Sequence, residues 1–260
     1  MAAKPKRVGA EERHARILRD LKINPALRVA HLAKAFGVTT ETVRRDLDTL
    51  SADGRLARTY GGAAAAPGER EPAFHERQNR LVAERSRIGA RAAAMIRPGE
   101  VLMIDSGSTT LHFARHLVSH SRDLTVITNS LAIAATLSVN DTIRVVVCPG
   151  DYDSREGGVF GVYAYHFLQG LNADRAVVGA SGLGVRGPSD AISDAAVLKR
   201  AMMAQSDRTT LLADASKYGE RHLEAIHPWN LFDEIVVDEA PPRQLAAALR
   251  EAGVRIWIAR

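Results

Sequence analysis

The stretch Thr39-Thr40-Glu41-Thr42-Val43-Arg44-Arg45-Asp46-Leu47-Asp48-Thr49-Leu50 decides how the N-terminal part of the chain is read. Val43, Leu47 and Leu50 are four and three residues apart, so on a helix they share one side, while Thr40, Glu41, Arg44, Arg45 and Asp48 point elsewhere. Such a helix has one side to bury and one to present. Upstream, residues 29–36 read as a short helix stopped by Gly37, the residue that best tolerates a left-handed cap. Thr39 then serves as N-cap of the next helix. Two short helices joined by a glycine-containing turn make a helix-turn-helix, whose second member commonly lies in the major groove of DNA. DNA binding is therefore the expectation, through Thr39, Thr40, Thr42, Arg44 and Arg45.

Working outward, residues 11–24 carry Ile17, Leu18 and Leu21 on one stripe, a first helix able to pack on the other two. Asp53-Gly54 is a turn, and residues 55–62 read as a short ribbon. Helices followed by a ribbon suggest a winged helix-turn-helix, with Arg55, Arg58 and Tyr60 available to the backbone or minor groove. The charge agrees with this placement. The 260-residue chain has a formal net charge of +5. Residues 1–66 hold 13 Lys/Arg against 7 Asp/Glu (+6), and residues 67–260 hold 22 against 23 (−1). The whole basic excess thus sits with the helix-turn-helix, as expected where a small module meets phosphate backbone. A solvated basic face is the plainer reading of the same numbers.

The single cysteine, Cys148, excludes an internal disulfide, fits a reducing compartment and reads as a buried, inert thiol. The basic start at residues 1–7 is not followed by an apolar segment, so no secretory signal is expected. The longest uncharged run, residues 124–140, is interrupted by Thr128-Asn129-Ser130 and is too short and polar to span a bilayer. A cytoplasmic location without membrane partners follows as the expectation. The nine histidines are scattered, so neither a metal site nor a cofactor is expected.

Residues 63–72 read as a linker by composition, an Ala run followed by Pro67-Gly68 and Pro72. The domain division is then 1–62 for the DNA-binding module and 73–260 for a larger domain. Residues 74–96 are helix-compatible, with Leu81, Ile88, Ala92 and Ile96 on one side. Beyond them, strands are expected at 101–104, 124–127, 143–148, 176–178, 210–213, 235–237 and 255–258. Helices are expected at 110–117, 131–137, 163–171, 195–205 and 243–251. Strands alternating with helices indicate a doubly wound, mainly parallel α/β domain.

In an open α/β sheet, ligands bind at the carboxyl ends of the strands. Three loops there are rich in small polar residues. The first, Asp105-Ser106-Gly107-Ser108-Thr109-Thr110, pairs a close-approach glycine with hydroxyls at a helix start, which suits a phosphate. The others are Thr128-Asn129-Ser130 and the run of residues 179–184 containing Ser181 and Gly182. Taken singly, each could be turn chemistry plus an N-cap. Together, at one edge of one sheet, they favour a binding crevice. Lys199 and Lys217 are exposed lysines by default, or point charges for a phosphate if the fold brings them close.

Arg13, Ile17, Leu21, Thr39, Thr42, Val43, Arg44, Arg45, Asp46, Leu47, Gly54, Leu56, Arg58 and Gly61-Gly62-Ala63 resemble the N-terminal signature of DeoR-type bacterial transcription regulators. Tyr60 departs from it, since that family often has His there. The resemblance continues through 104–110, 127–131, 174–180, 197–202 and 212–217, which are similar to the family's C-terminal sensor domain. The resemblance implies a sensor related in fold to ribose-5-phosphate isomerase, a phosphorylated sugar effector, and a pocket lined by Asp105, Ser106 to Thr110, Asn129, Lys199 and Lys217. It also implies a homo-oligomer, dimer or tetramer, that represses a carbohydrate-utilisation operon from double-stranded operator DNA. Pro149-Gly150-Asp151 stands where many relatives have a Gly pair, and Ala195, with Asp194 beside it, stands where many are acidic. Asp151, Asp153, Asp190 and Asp194 therefore either bind sugar hydroxyls or are solvated loop residues.

Two other functions fit parts of the sequence. A sugar-phosphate isomerase-like enzyme with an accessory DNA-binding module needs a carboxylate base, and none can be assigned. Ser181-Gly182 also lacks the spacing of a nucleophile elbow. An RNA-binding or architectural protein would explain the basic module but not the crevice.

Overall fold

A computed structural model describes residues 9–23, 26–53, 55–59, 61–65 and 73–260. Gly54, Tyr60 and residues 66–72 of the expected linker lie outside the described residues. The chain separates into two compact units, Met1–Glu71 and Pro72–Arg260.

The first unit contains α1 (Ala10–Ile23), β1 (Ala26–Arg28), α2 (Val29–Phe36), α3 (Thr40–Ala52), β2 (Leu56–Thr59) and β3 (Gly62–Ala65). The stripe read from the sequence is its core: Ile17, Val43, Leu47 and Leu50 have no solvent exposure, and Leu32 and Phe36 close the other side. Gly37 adopts φ +64° and caps α2, and Thr39 Oγ1 accepts the Thr42 N–H at 3.2 Å to cap α3. The wing is an antiparallel sheet of order β1-β3-β2. Residues 63–65, expected to begin the linker, are thus a strand. Ala63 is fully buried, and a Cβ on Gly62 would lie 2.0 Å from the Leu27 carbonyl oxygen. Three alanines carry no alternating pattern, which is why composition reads them as linker.

Asp46 is buried beneath α3 and accepts two hydrogen bonds from Arg13 (2.7 and 2.9 Å), with His14 Nε2 at 3.0 Å. Burial pushes the Asp46 carboxyl up, but Arg13 and His14 outweigh it and leave it below its usual range. Removing one partner of a buried pair strands the other charge. Arg13→Met is therefore expected to destabilise the first unit by about 3–5 kcal/mol, read as a shift of the helix-monitored urea midpoint.

The second unit is built on seven strands: β4 (Val101–Ile104), β5 (Leu124–Thr128), β6 (Ile143–Val147), β9 (Arg175–Val178), β12 (Thr209–Leu212), β14 (Glu234–Val237) and β15 (Arg255–Ile258). They form one parallel sheet of order β15-β14-β12-β9-β4-β5-β6. The helices are α4 (Phe74–Arg77), α5 (Val82–Ala93), α6 (Ser108–His120), α7 (Leu131–Leu137), α8 (Val162–Gln169), α9 (Ser193–Ala204) and α10 (Arg243–Glu251). Successive strand residues feed opposite faces: Leu102 and Ile104 join one core with Val126 and Val177, and Met103 joins the other with Val178 and Leu211. The first strand, β4, lies between β5 and β9, so the winding direction reverses there. The carboxyl ends of β4 and β9 are therefore the topological switch point, where an open α/β sheet takes its ligands.

Two features differ from the sequence reading. The expected helix over 74–96 is two helices, broken where Leu81 takes φ +51°, a left-handed conformation that costs a leucine about 1 kcal/mol or more. Five short strands were not anticipated: β7 (Asp151–Asp153), β8 (Gly158–Phe160), β10 (Gly182–Gly184), β11 (Gly187–Asp190) and β13 (Glu224–Ala225). Each has two to four residues, too few for alternation to register.

His112 in α6 is only 3% exposed, and burial, then Arg115, Arg85 and His116, lowers its pKa to about 4. The unfolded chain binds that proton near pH 6.5 while the folded chain does not, so the stabilisation is complete above pH 6.5 and is lost as pH falls toward 4. The expected loss is about 3 kcal/mol, the free-energy equivalent of that lowering. His112→Gln should flatten the dependence of Tm on pH between 6.5 and 4.

Candidate functional site

In the first unit, α3 buries Val43, Asp46, Leu47 and Leu50 and presents Thr40, Glu41, Arg44, Arg45 and Asp48 to solvent. The Arg44 and Arg45 side chains are 58% and 81% exposed, each held only by a 3.7 Å approach to Glu41. Such surface pairs contribute little, and both guanidinium groups are available to another partner. Thr42 is half-buried and its hydroxyl contacts that of Thr39 at 2.9 Å, so both take part in the cap. Arg55 is exposed. Arg58 is committed within the unit, its Nε 2.9 Å from Asp48 and its Nη1 donating to the Gly62 carbonyl at 2.9 Å. It ties the wing to α3.

In the second unit, Asp105 follows β4, is 2% exposed and sits at the switch point. Its Oδ2 accepts the Gly179 N–H (3.1 Å) from the loop after β9 and lies 2.9 Å from Lys199 Nζ. Lys199, on α9 and 5% exposed, also reaches Asp190 Oδ2 at 2.9 Å. One ammonium is therefore shared by two buried carboxylates. Burial pushes Asp105 up. Burial also works against the Lys199 charge, but Asp105 and Asp190 outweigh it and hold the lysine above its usual value. Asp105 Oδ1 is buried with no hydrogen-bond partner among the described residues. A Cβ built on Gly107 would lie 3.7 Å from it, so the oxygen faces the Ser106-Gly107 loop.

That loop leads into α6, whose first-turn N–H groups, including those of Ser108 and Thr109, have no carbonyl partner within the helix. Asn129 Oδ1 accepts the Ser106 N–H at 2.8 Å and Nδ2 reaches Ser106 Oγ at 3.3 Å, which fixes the loop against the end of β5. The structure thus brings Asp105, Ser106, Gly107, Ser108, Thr109, Asn129 and Lys199 to one place. Three expected residues have occupied side chains: Thr110 donates to the Asp105 carbonyl, Thr128 to the Ile104 carbonyl, and Ser130 caps α7.

The remaining expected residues serve other contacts. Ser181 is buried, pairs with Ser189 through its backbone and donates its hydroxyl to Asp190 Oδ1 of the lysine cluster at 3.4 Å, while Gly182 begins β10, where a Cβ would lie 2.4 Å from the Glu220 carbonyl oxygen. Gly150 and Asp151 open the β7–β8 hairpin, and Asp151 is exposed. Lys217 is half-buried in the turn Ala215–Lys217 that follows β12, two strands from β4. Among the four aspartates left open by sequence, Asp190 is buried in the lysine cluster, while Asp151, Asp153 and Asp194 are exposed.

Sequence reasoning missed a second buried network, Arg77 with Glu156 (3.0 Å) and Arg85 with Asp214 (2.9 Å). Arginines 79 and 129 residues away from their partners leave no local signal. Among the described residues no His, Cys, Asp or Glu grouping could hold a metal, and no helix is long and apolar enough to cross a membrane. Cys148 is buried and its thiol is pushed up to about 12.

Residues 13–67 match the DeoR-like helix-turn-helix domain, and residues 80–239 match the DeoR C terminal sensor domain. Over 251 residues the chain is 31% identical to an uncharacterized HTH-type transcriptional regulator, YgbI, of Escherichia coli strain K12, covering 96% of this chain and 98% of that one. It is 29% identical over 254 residues to the glycerol-3-phosphate regulon repressor of the same strain, covering 94% and 97%. A solved ribose 5-phosphate isomerase A from Methanocaldococcus jannaschii aligns over 52% of this chain and 53% of that one, at TM-score 0.37 and 14% identity. No residue role is carried over from so distant a likeness.

Proposed function

The chain belongs to the DeoR family of transcriptional regulators and is not an enzyme, and from that premise we propose that it represses a carbohydrate-utilisation operon and is released by a phosphorylated sugar. The observation that carries the effector reading is Asp105 Oδ1, a buried acceptor without a partner, facing the loop that starts α6. An unpaired buried acceptor costs about 1–3 kcal/mol, so its retention calls for a donor from outside the chain. A sugar hydroxyl supplies one. The N-terminus of α6 supplies N–H groups and a positive dipole end for the phosphate. Lys199 is already neutralised by Asp105 and Asp190. It is therefore the keystone of the hydroxyl end rather than the phosphate's counter-charge, a change from the role its charge alone suggests.

On the DNA side, a homo-oligomer places two α3 helices in successive major grooves, with Thr40, Arg44 and Arg45 facing the bases and phosphates. Effector binding favours one arrangement of the regulator and lowers operator affinity. The test is a thermal-shift screen of sugar phosphates against the matching free sugars and inorganic phosphate. A phosphorylated sugar at 100 times its Kd should stabilise the second unit by about 2.7 kcal/mol, and Asp105→Ala should abolish the shift. If no phosphorylated sugar moved either Tm or DNA affinity, the effector reading would be wrong.

A further inference from the structure

Residues 73–85, the first described residues of the second unit, form a strap of α4, a turn and the start of α5. Two segments hold it, the turn between β7 and β8 and the residue directly after β12. The Phe74 N–H donates to the Arg155 carbonyl at 2.7 Å, and its ring packs on Gly157, where a Cβ would lie 2.4 Å from the ring. Arg77 Nη2 meets Glu156 Oε2 at 3.0 Å, both side chains less than a tenth exposed. The same loop continues into the pocket. A Cβ on Gly158 would lie 2.5 Å from Ser106 Oγ. The Val159 N–H donates to the Asn129 carbonyl at 2.7 Å, and Asn129 Oδ1 accepts the Ser106 N–H. At the other end Arg85 donates to the fully buried Asp214, directly after β12, and to the Arg77 carbonyl.

We infer that this strap is the transmitting element of the regulator: Arg77 and Arg85 are positioning residues that couple the Ser106–Thr109 loop to the chain segment leading back to the DNA-binding unit. The inference rests on the effector pocket proposed above. A strap held only for stability would be served as well or better by apolar contacts, because burying two ion pairs costs desolvation that their attraction barely repays. What ion pairs add is direction. Closing the Ser106 loop on a ligand moves Val159 through Asn129, which hydrogen-bonds both, and Glu156, three residues away, moves Arg77 with it. Coupling is reciprocal, so disturbing the strap must alter the pocket even without ligand.

The experiment is hydrogen exchange on the full chain, with Arg77→Met and, should that variant fold poorly, the milder Phe74→Leu. In the absence of ligand, the variant should exchange the Ser106 and Val159 amides about threefold or more faster than the parent, with β15 unchanged as the control against general loosening. With glycerol 3-phosphate as probe, the parent should gain protection at both 106–111 and 74–85, and the variant at 106–111 alone. Unchanged Ser106 and Val159 exchange in the ligand-free variant overturns the inference, as does protection of 106–111 without 74–85 in the parent. Absence of protection at 106–111 in the parent counts instead against the probe's place in the pocket, and the ligand-free comparison still decides the coupling.

Discussion

Lys199→Met should lower the stability of the second unit by about 3–5 kcal/mol, the cost of leaving a buried charge without its partner. The lysine is not one half of a simple pair. Its ammonium lies 2.9 Å from both Asp105 and Asp190, whose side chains are 3% and 5% exposed. Without it, two carboxylates face each other in a low-dielectric site and at least one must take up a proton. The loss should therefore shrink at acid pH and be largely recovered by adding Asp105→Asn and Asp190→Asn to the same chain. Both tryptophans, Trp229 and Trp257, lie in the second unit, so their fluorescence in a urea titration reports this unit alone. Recovery without effector response would separate the stabilising role of the cluster from its ligand role.

Arg45→Ala should weaken DNA binding without weakening the fold. The Arg45 side chain is 81% exposed and buries nothing whose loss could unfold α3. If it makes a bidentate contact to a guanine, its removal costs about 1–3 kcal/mol and relaxes preference at one base position. If it contacts phosphate, affinity falls for all sequences alike and the slope against salt drops by about 1. Arg44→Ala is the paired case. Arg58→Ala should behave differently, because that side chain links Asp48 to Gly62. Its loss loosens the wing and should reduce the stability of the first unit along with affinity.

The scaffold was legible in the sequence where apolar residues recur over enough positions to reveal a period. All seven strands of the parallel sheet coincide with expected apolar runs, and α7 and α10 fall at the expected residues. Val43, Leu47 and Leu50 proved fully buried, as their spacing implied. What stayed hidden is non-local. Asp190 was one of four aspartates left open, and it alone joins Lys199 because β11 lies beside α9, a choice that no spacing along the chain can express. Arg85 looks like any helical arginine until the fold places Asp214 against it. The loop 179–184 divides: Gly179 and Ser181 meet Asp105 and Asp190, whereas Gly182 is needed to clear the Glu220 carbonyl in a small sheet. A glycine required by packing and one required by a ligand carry the same letter.

In the proposed regulator, a small molecule at the start of α6 governs the affinity of α3 for DNA. The most direct test is competition binding at fixed salt, using a duplex selected from a random library against unselected duplex, with and without the sugar phosphate that gives the largest thermal shift. The expected result is a preference of about a thousandfold or more for the selected duplex, which the sugar phosphate erodes in the parent chain and leaves intact in Asp105→Ala. Equal affinity for both duplexes, or a preference indifferent to every phosphorylated sugar, would contradict it.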